Sequence, residues 1–121
     1  MEKYNDVMKR ILDLTETMEE GLTHIHNQVN EGYFEASVPL LQGVITAFAS
    51  IEKSILDINN LRQVDFKEVF QNLRQGFNVL TESYEQGSGG KALEILQFNV
   101  LPISKKWKAA LEQSFEPYLV S

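Results

Sequence analysis

Histidines and glutamates come nearest, in type and spacing, to residues that could do chemistry in this chain. His24 and His26 are its only histidines. Two residues apart on a helix they point in different directions, and neither has a glutamate three positions before it. A metal site inside a helical bundle is built from Glu-x-x-His pairs on facing helices. That pattern is missing, and so is His-x-x-x-His, so both histidines read as solvated residues on a helix flank. There is no cysteine, which excludes thiolate metal sites and disulfide frameworks alike.

The carboxylates offer more. Glu16-Thr17-Met18-Glu19-Glu20 and Glu82-Ser83-Tyr84-Glu85 each contain Glu-x-x-Glu, which sets two oxygen donors on one side of a helix, as Mg²⁺ prefers. All-helical nucleotide pyrophosphohydrolases use a related pattern, but their second element, Glu-x-x-Asp, is absent here. Met18 and Tyr84 belong to apolar stripes, so these glutamates flank a core or face water. Gly87-Ser88-Gly89-Gly90-Lys91 lacks the preceding strand and the glycine spacing of a phosphate-binding loop. It reads as a turn, and no cofactor is implied.

Residues that break the local pattern lie near the C-terminus. With Leu93, Leu96, Val100 and Ile103 toward a core, Phe98 falls on nearly the opposite side, between Ile95 and Pro102. Three apolar residues on an outward face suggest a contact surface for a protein partner or a second copy. Alternatively the tail Pro117-Tyr118-Leu119-Val120 folds back, so that Tyr118 and Leu119 cover the patch. Pro102 removes one intrahelical hydrogen bond and is expected to kink the helix.

The elements that position these residues are helices. A chain of 121 residues, 43% hydrophobic and 23% charged, is long enough for one domain, 1–121, with its own core. Apolar residues recur at steps of three and four, predicting helices over about 3–31, 35–59, 66–86 and 91–115, with 116–121 as a tail. The stripes are Tyr4, Val7, Ile11, Leu14, Met18, Leu22, Ile25, Val29; Phe34, Val38, Leu41, Ile45, Phe48, Ile51, Ile55, Ile58; Phe66, Val69, Leu73, Phe77, Leu80, Tyr84; and Leu93, Leu96, Val100, Ile103, Trp107, Ala110. Gly32 can take the left-handed conformation that ends the first helix, and Asn59-Asn60 closes the second. Pro39 is early enough in its helix to be tolerated. Asp65 with Glu68 forms a capping box for the third, Val64 with Val69 a hydrophobic staple, and Glu116-Pro117 ends the fourth. The class is all-α: an antiparallel four-helix bundle of two helical hairpins. A pair of hairpins that completes its core by dimerising is the other architecture.

An offset of 55 residues lays the second half on the first. Ile11, Leu14, Met18, Leu22, Ile25 and Val29 fall on Phe66, Val69, Leu73, Phe77, Leu80 and Tyr84, and Gly32 falls on Gly87. Val38, Leu41, Ile45 and Phe48 fall on Leu93, Leu96, Val100 and Ile103. The same offset pairs Trp107, on the core stripe, with Glu52, which could accept its indole N–H or equally turn outward beside Ile51 and Ile55. Two helix pairs and both turn glycines on one offset point to a duplicated hairpin; the other reading is two unrelated hairpins under one packing rule.

The stretch Leu93-Glu94-Ile95-Leu96-Gln97-Phe98-Asn99-Val100-Leu101-Pro102-Ile103, continuing to Trp107, resembles a segment of small uncharacterised helical proteins of Gram-positive bacteria. That resemblance covers the last third of the chain; it implies a small bacterial bundle and supplies no activity. In size and helical layout the chain is also similar to flagellar and secretion export chaperones, a likeness of fold alone.

Charge narrows the partners. With 11 basic and 17 acidic residues the net charge is −6, unsuited to a phosphate backbone. Lys105, Lys106 and Lys108, with Lys91 further back, form the one local basic stretch, which reads as a solvated helix face, with an anion or nucleic-acid contact as the alternative. No apolar run approaches the roughly 18 residues of a membrane span. Met1-Glu2-Lys3-Tyr4-Asn5-Asp6 does not open a signal peptide, so a cytoplasmic protein is expected. The reading is a non-enzymatic interaction module engaging a protein partner or itself, with no nucleic acid or membrane. An export-chaperone-like holder of a partner helix, and a small-ligand-binding or Mg²⁺-dependent hydrolytic bundle, are the alternatives.

A ligand at a hundred times its Kd stabilises a fold by roughly 2.7 kcal/mol. Millimolar Mg²⁺ or Mn²⁺ is therefore expected to leave the melting temperature unchanged. A rise abolished by Glu→Gln changes at Glu16, Glu19, Glu82 and Glu85 would establish a metal site.

Overall fold

Most residues of each apolar stripe face inward on a helix. The computed structural model describes residues 4–58 and 64–119, without the side chains of Val64 and Asp65. Helix α1 spans Asn5–Asn30, and a 3₁₀ turn, Glu35–Ser37, leads into α2, Val38–Leu56. Helix α3 spans Val64–Glu85. Helix α4 covers 89–119: α-helical over Gly89–Ile95, a π turn over Leu96–Val100, and α-helical again over Leu101–Leu119. No strand occurs among the described residues, and the fold is an all-α four-helix bundle.

Several boundaries differ from those read in the sequence. Helix α2 ends at Leu56, short of 59, and α3 begins at Val64, ahead of 66. The capping box, the staple, the closing asparagines and Val120 lie outside the described residues. Helix α4 starts at Gly89, ahead of 91, because the Ser88 hydroxyl accepts the Lys91 N–H at 3.3 Å and caps the first turn. Nor does Pro117 end it. Tyr118 and Leu119 pack on the core, and Phe115 one turn earlier is fully buried, so packing holds the last turn against one missing hydrogen bond.

The two hairpins repeat one another in detail. After α1, the N–H groups of Glu31, Gly32 and Tyr33 donate to the carbonyls of Asn27, Val29 and Gln28. After α3, those of Gln86, Gly87 and Ser88 donate to Glu82, Tyr84 and Ser83, each 55 positions on. Both turns are Schellman closures with a left-handed glycine, φ being 93° at Gly32 and 69° at Gly87. Within the first hairpin a Cβ on Gly21 would lie 3.0 Å from Val44 Cγ2; within the second, a Cβ on Gly76 would lie 3.2 Å from Val100 Cγ2. Between hairpins, Glu19 pairs with Lys108 at 3.5 Å, and its counterpart Arg74 pairs with Glu52. The positions correspond and the charges are exchanged.

These correspondences fix the register of α4. Gly21 to Gly76 is 55 positions, but Val44 to Val100 and Glu52 to Lys108 are each 56. The buried series Leu41, Val44, Phe48, Ile51, Ile55 of α2 becomes Leu96, Val100, Ser104, Trp107, Leu111 in α4. The extra residue is absorbed by the π turn, where the Leu101 N–H reaches back five residues to the Leu96 carbonyl. Pro102 lacks an N–H, and in an α-helix its ring would collide with the carbonyl of Phe98. The wider turn accommodates it, because the carbonyl that the ring would strike is carried out of the α-helical position. Beyond Leu96 the counterpart shifts by one, so Trp107 answers to Ile51 and not Glu52. Glu52 is held by Arg74, and the buried Trp107 indole N–H finds no acceptor among the described residues.

Elsewhere the core phase is one residue off the sequence reading. Met8, Thr15, Val44, Phe70 and Ser83 are buried, while Val7, Leu14, Ile45, Val69 and Tyr84 sit half-buried at its edge. Leu93, Ile103 and Ala110 are likewise marginal, and Val38 is exposed. At the turn end the hairpins interlock through Tyr84, whose ring lies 4.5 Å from that of Phe34. The Ser37 hydroxyl donates its one proton to the Phe34 carbonyl at 2.6 Å, so the Tyr84 hydroxyl donates to Ser37 at 2.5 Å. Burial raises the Tyr84 pKa above the ordinary phenol value.

If the π turn is a one-residue insertion, removing it should restore a regular helix with the register of α2. Deleting Phe98 together with Pro102→Ala is expected to keep native circular dichroism and Trp107 emission, with stability changed by no more than about 3 kcal/mol. Deleting Lys106 instead rotates the helix beyond it by about 100°, turning Trp107, Leu111 and Phe115 off the core, and is expected to abolish folding.

Candidate functional site

The carboxylates do not converge. Glu19 is paired with Lys108 and, with Glu16, Glu20 and Thr23, rims a shallow depression. Glu82 and Glu85 are exposed near the end of α3. Their repeat counterparts are Asn27 and Asn30, so they stand about 12–17 Å further along the bundle than Glu19, at 1.5 Å per residue. Among the described residues, no three His, Asp or Glu side chains gather closely enough to hold a metal ion. His24 is exposed; His26 is half-buried, and its Nε2 has no hydrogen-bond partner among the described residues.

The outer face of α4 presents Phe98 at 74% exposure, the most exposed large apolar side chain among the described residues. Its position follows from the π turn, which keeps Leu96 and Val100 inward on either side of it. Ile95 leans half-buried against the core and Pro102 is exposed one turn on, with Leu101 half-buried between. These four form a short apolar ridge. Tyr118 and Leu119 are not part of it. They lie about 30 Å further along the same helix, so the described tail residues do not fold back over Phe98.

A second surface follows from comparing the two seams between hairpins. Helix α1 packs closely on α2 and α4, and α3 on α4, whereas α2 and α3 hardly approach each other. The repeat relates the open α2–α3 seam to the closed α1–α4 seam, and the side chains explain the difference. In the open seam the Phe48 ring lies 5.7 Å from Phe70, 5.2 Å from Phe77 and 5.5 Å from Trp107. The counterparts of Phe48, Phe70 and Phe77 are Ser104, Thr15 and Leu22. Smaller side chains let backbones close up, and rings packed tilted and edge-on against one another hold them apart.

The result is a groove with an aromatic floor. The Glu52–Arg74 pair spans it and divides it into two basins. One, of about 450 Å³, lies over Ile55, Leu56, Phe66 and Phe70, with Lys67 and Gln71 at its edge. The other, of about 210 Å³, lies between Ile45, Phe48 and Ala49 of α2 and Phe77, Asn78 and Thr81 of α3. Leu56, 62% exposed, stands on the wall of the larger basin. Sequence reasoning missed this groove. Its signal was the mismatch in size between Phe48, Phe70 and Phe77 and their counterparts, and it becomes visible only with the 56-residue register.

A family model described as a domain of unknown function (DUF8042) matches residues 6–110. No curated protein and no solved structure matches the chain.

The two ion pairs yield a test of the seam geometry. Both are partly exposed, so each is worth about 0–1 kcal/mol. Reversing Glu52 to Lys sets it against Arg74 and is expected to cost up to about 1 kcal/mol. Adding Arg74→Glu recreates the charge order of Lys108 and Glu19 and is expected to restore the loss. Urea unfolding of the two single variants and the double variant measures the coupling.

Proposed function

The chain belongs to the family of that domain of unknown function, DUF8042, and we propose that it works there as a non-enzymatic protein-interaction module through the outer face of α4. The observation that carries this reading is the 74% exposure of Phe98 in the middle of a helix whose other face is fully packed. Burying a phenylalanine side chain is worth about 1.5–3 kcal/mol, and nothing in the described fold collects it. Ile95, Leu101 and Pro102 extend the apolar contact along α4, and an interface of this kind centres on one aromatic anchor with a less demanding surround.

The partner is a protein or a second copy of the chain. The net charge of −6 argues against nucleic acid, and no helix among the described residues is long and apolar enough to cross a membrane. A cytoplasmic setting fits the absence of cysteine. The dispersal of Glu16, Glu19, Glu82 and Glu85 supports a role other than metal-dependent hydrolysis.

Phe98→Asp separates a contact role from a folding role. Surface changes usually stay within roughly 0.5 kcal/mol, whereas truncating a core phenylalanine costs about 3–5 kcal/mol. The variant is expected to unfold in urea like the parent while its self-association by light scattering, or its recovery of a co-purifying protein, is lost. Loss of several kcal/mol with unchanged association would return Phe98 to the fold.

A further inference from the structure

We infer that the larger basin of the α2–α3 groove binds a single-chain amphiphile with an anionic head, of the kind represented by a medium-chain carboxylate. The basin's volume of about 450 Å³ is within the range of small-molecule sites, about 300–1,000 Å³, and like them it is apolar with a few placed polar groups. Ile55, Leu56, Phe66 and Phe70 supply the surface for a hydrocarbon chain.

Charge selects the head group. In a chain of net charge −6, the described residues that line this basin include two cations, Lys67 and Arg74, against one anion, Glu52. Lys67 pairs with no carboxylate among the described residues. Arg74 is held by Glu52, but a guanidinium carries five N–H donors in a planar fork, enough to keep Glu52 and accept a second carboxylate. An anionic head gains an ion pair with Lys67 that a cationic or neutral head cannot form.

The groove's geometry favours such a chain over larger occupants. A partner helix lying along the seam would meet the Glu52–Arg74 bridge halfway, whereas an extended chain in the larger basin stays on one side of it. A second copy would need an interface of roughly 1,000 Å² or more, far beyond this basin. The site is separate from the Phe98 ridge: it lies between α2 and α3, and Phe98 is on the outer face of α4.

Trp107 is the chain's one tryptophan, and its ring lies 5.6 Å from that of Phe70 on the basin floor, so its emission reports on occupancy. The test titrates the full chain with dodecanoate below its micelle concentration, alongside dodecanol and dodecyltrimethylammonium. Dodecanoate is expected to change Trp107 emission saturably and to raise the melting temperature, and the cationic amphiphile to do neither. Leu56→Asp is expected to weaken binding about tenfold or more, Lys67→Glu to weaken it for dodecanoate alone and not for dodecanol, and Phe98→Asp to leave it unchanged. Non-saturating changes, equal binding of the cationic amphiphile, or full binding by both Leu56→Asp and Lys67→Glu would overturn the inference. So would a dimer in light scattering that Leu56→Asp splits, because the groove would then belong to a second copy.

Discussion

The contact of Phe48 with Phe70, Phe77 and Trp107 sets the spacing on which the rest of the bundle depends. Phe48 comes from α2, Phe70 and Phe77 from α3, and Trp107 from α4, so the block ties three helices together. Each ring is nearly or fully buried, and such burial is worth about 1.5–3 kcal/mol per side chain. The Glu52–Arg74 bridge above it contributes at most about 1 kcal/mol. Packing therefore decides how far apart α2 and α3 stand, and the ion pair only spans the distance that the rings impose. On the other side of the bundle, Ser104, Thr15 and Leu22 occupy the corresponding places, and the seam closes.

Function is best sought where the two hairpins stop being alike. Their turns, their Gly–Val approaches and their bridging ion pairs match position for position, as a shared way of burying an amphipathic pair requires. The departures are few. The second hairpin carries an extra residue, accommodated as a π turn, a feature that recurs at functional sites; it sets Phe98 on the outer face of α4. Aromatic rings replace smaller side chains in one seam and open the groove. Tyr84 and Ser37 form a hydrogen bond where their counterparts, Val29 and Ala92, are apolar. The first two departures create the two surfaces for which a binding role is proposed.

How far these features could be read in advance depended on their physics. Helix class, the turn glycines and the 55-residue offset were legible because apolar spacing and left-handed glycines are local consequences of sequence. The exposure of Phe98 was also legible, since Leu96 and Val100 hold the inward face on either side. Register beyond Leu96 was not, because a constant helical period was carried through a π turn. That error put Ile103 in the core and matched Trp107 with Glu52. Pro102 was the available clue: a ring that cannot sit in a regular turn is relieved by a kink or by an extra residue. Pro117 was read as a stop, though Tyr118 and Leu119 have core to pack on. The groove was least legible, because seam width depends on which side chains meet across helices far apart in sequence.

Measuring both seams in one protein tests most directly whether the aromatic block holds the bundle open on one side. The chain has no cysteine, so pairs can be introduced for spin labels without background. Ala49 and Asn78 line opposite walls of the smaller basin, and their repeat counterparts, Lys105 and Thr23, occupy the equivalent places on α4 and α1; all four are exposed. Pulsed dipolar spectroscopy should give a longer distance between 49 and 78 than between 105 and 23. Phe48→Ser, which copies Ser104 into α2, should shorten the first distance and leave the second unchanged. Equal distances in the parent chain, or a 49–78 distance that ignores Phe48, would contradict the aromatic block as the cause of the open seam.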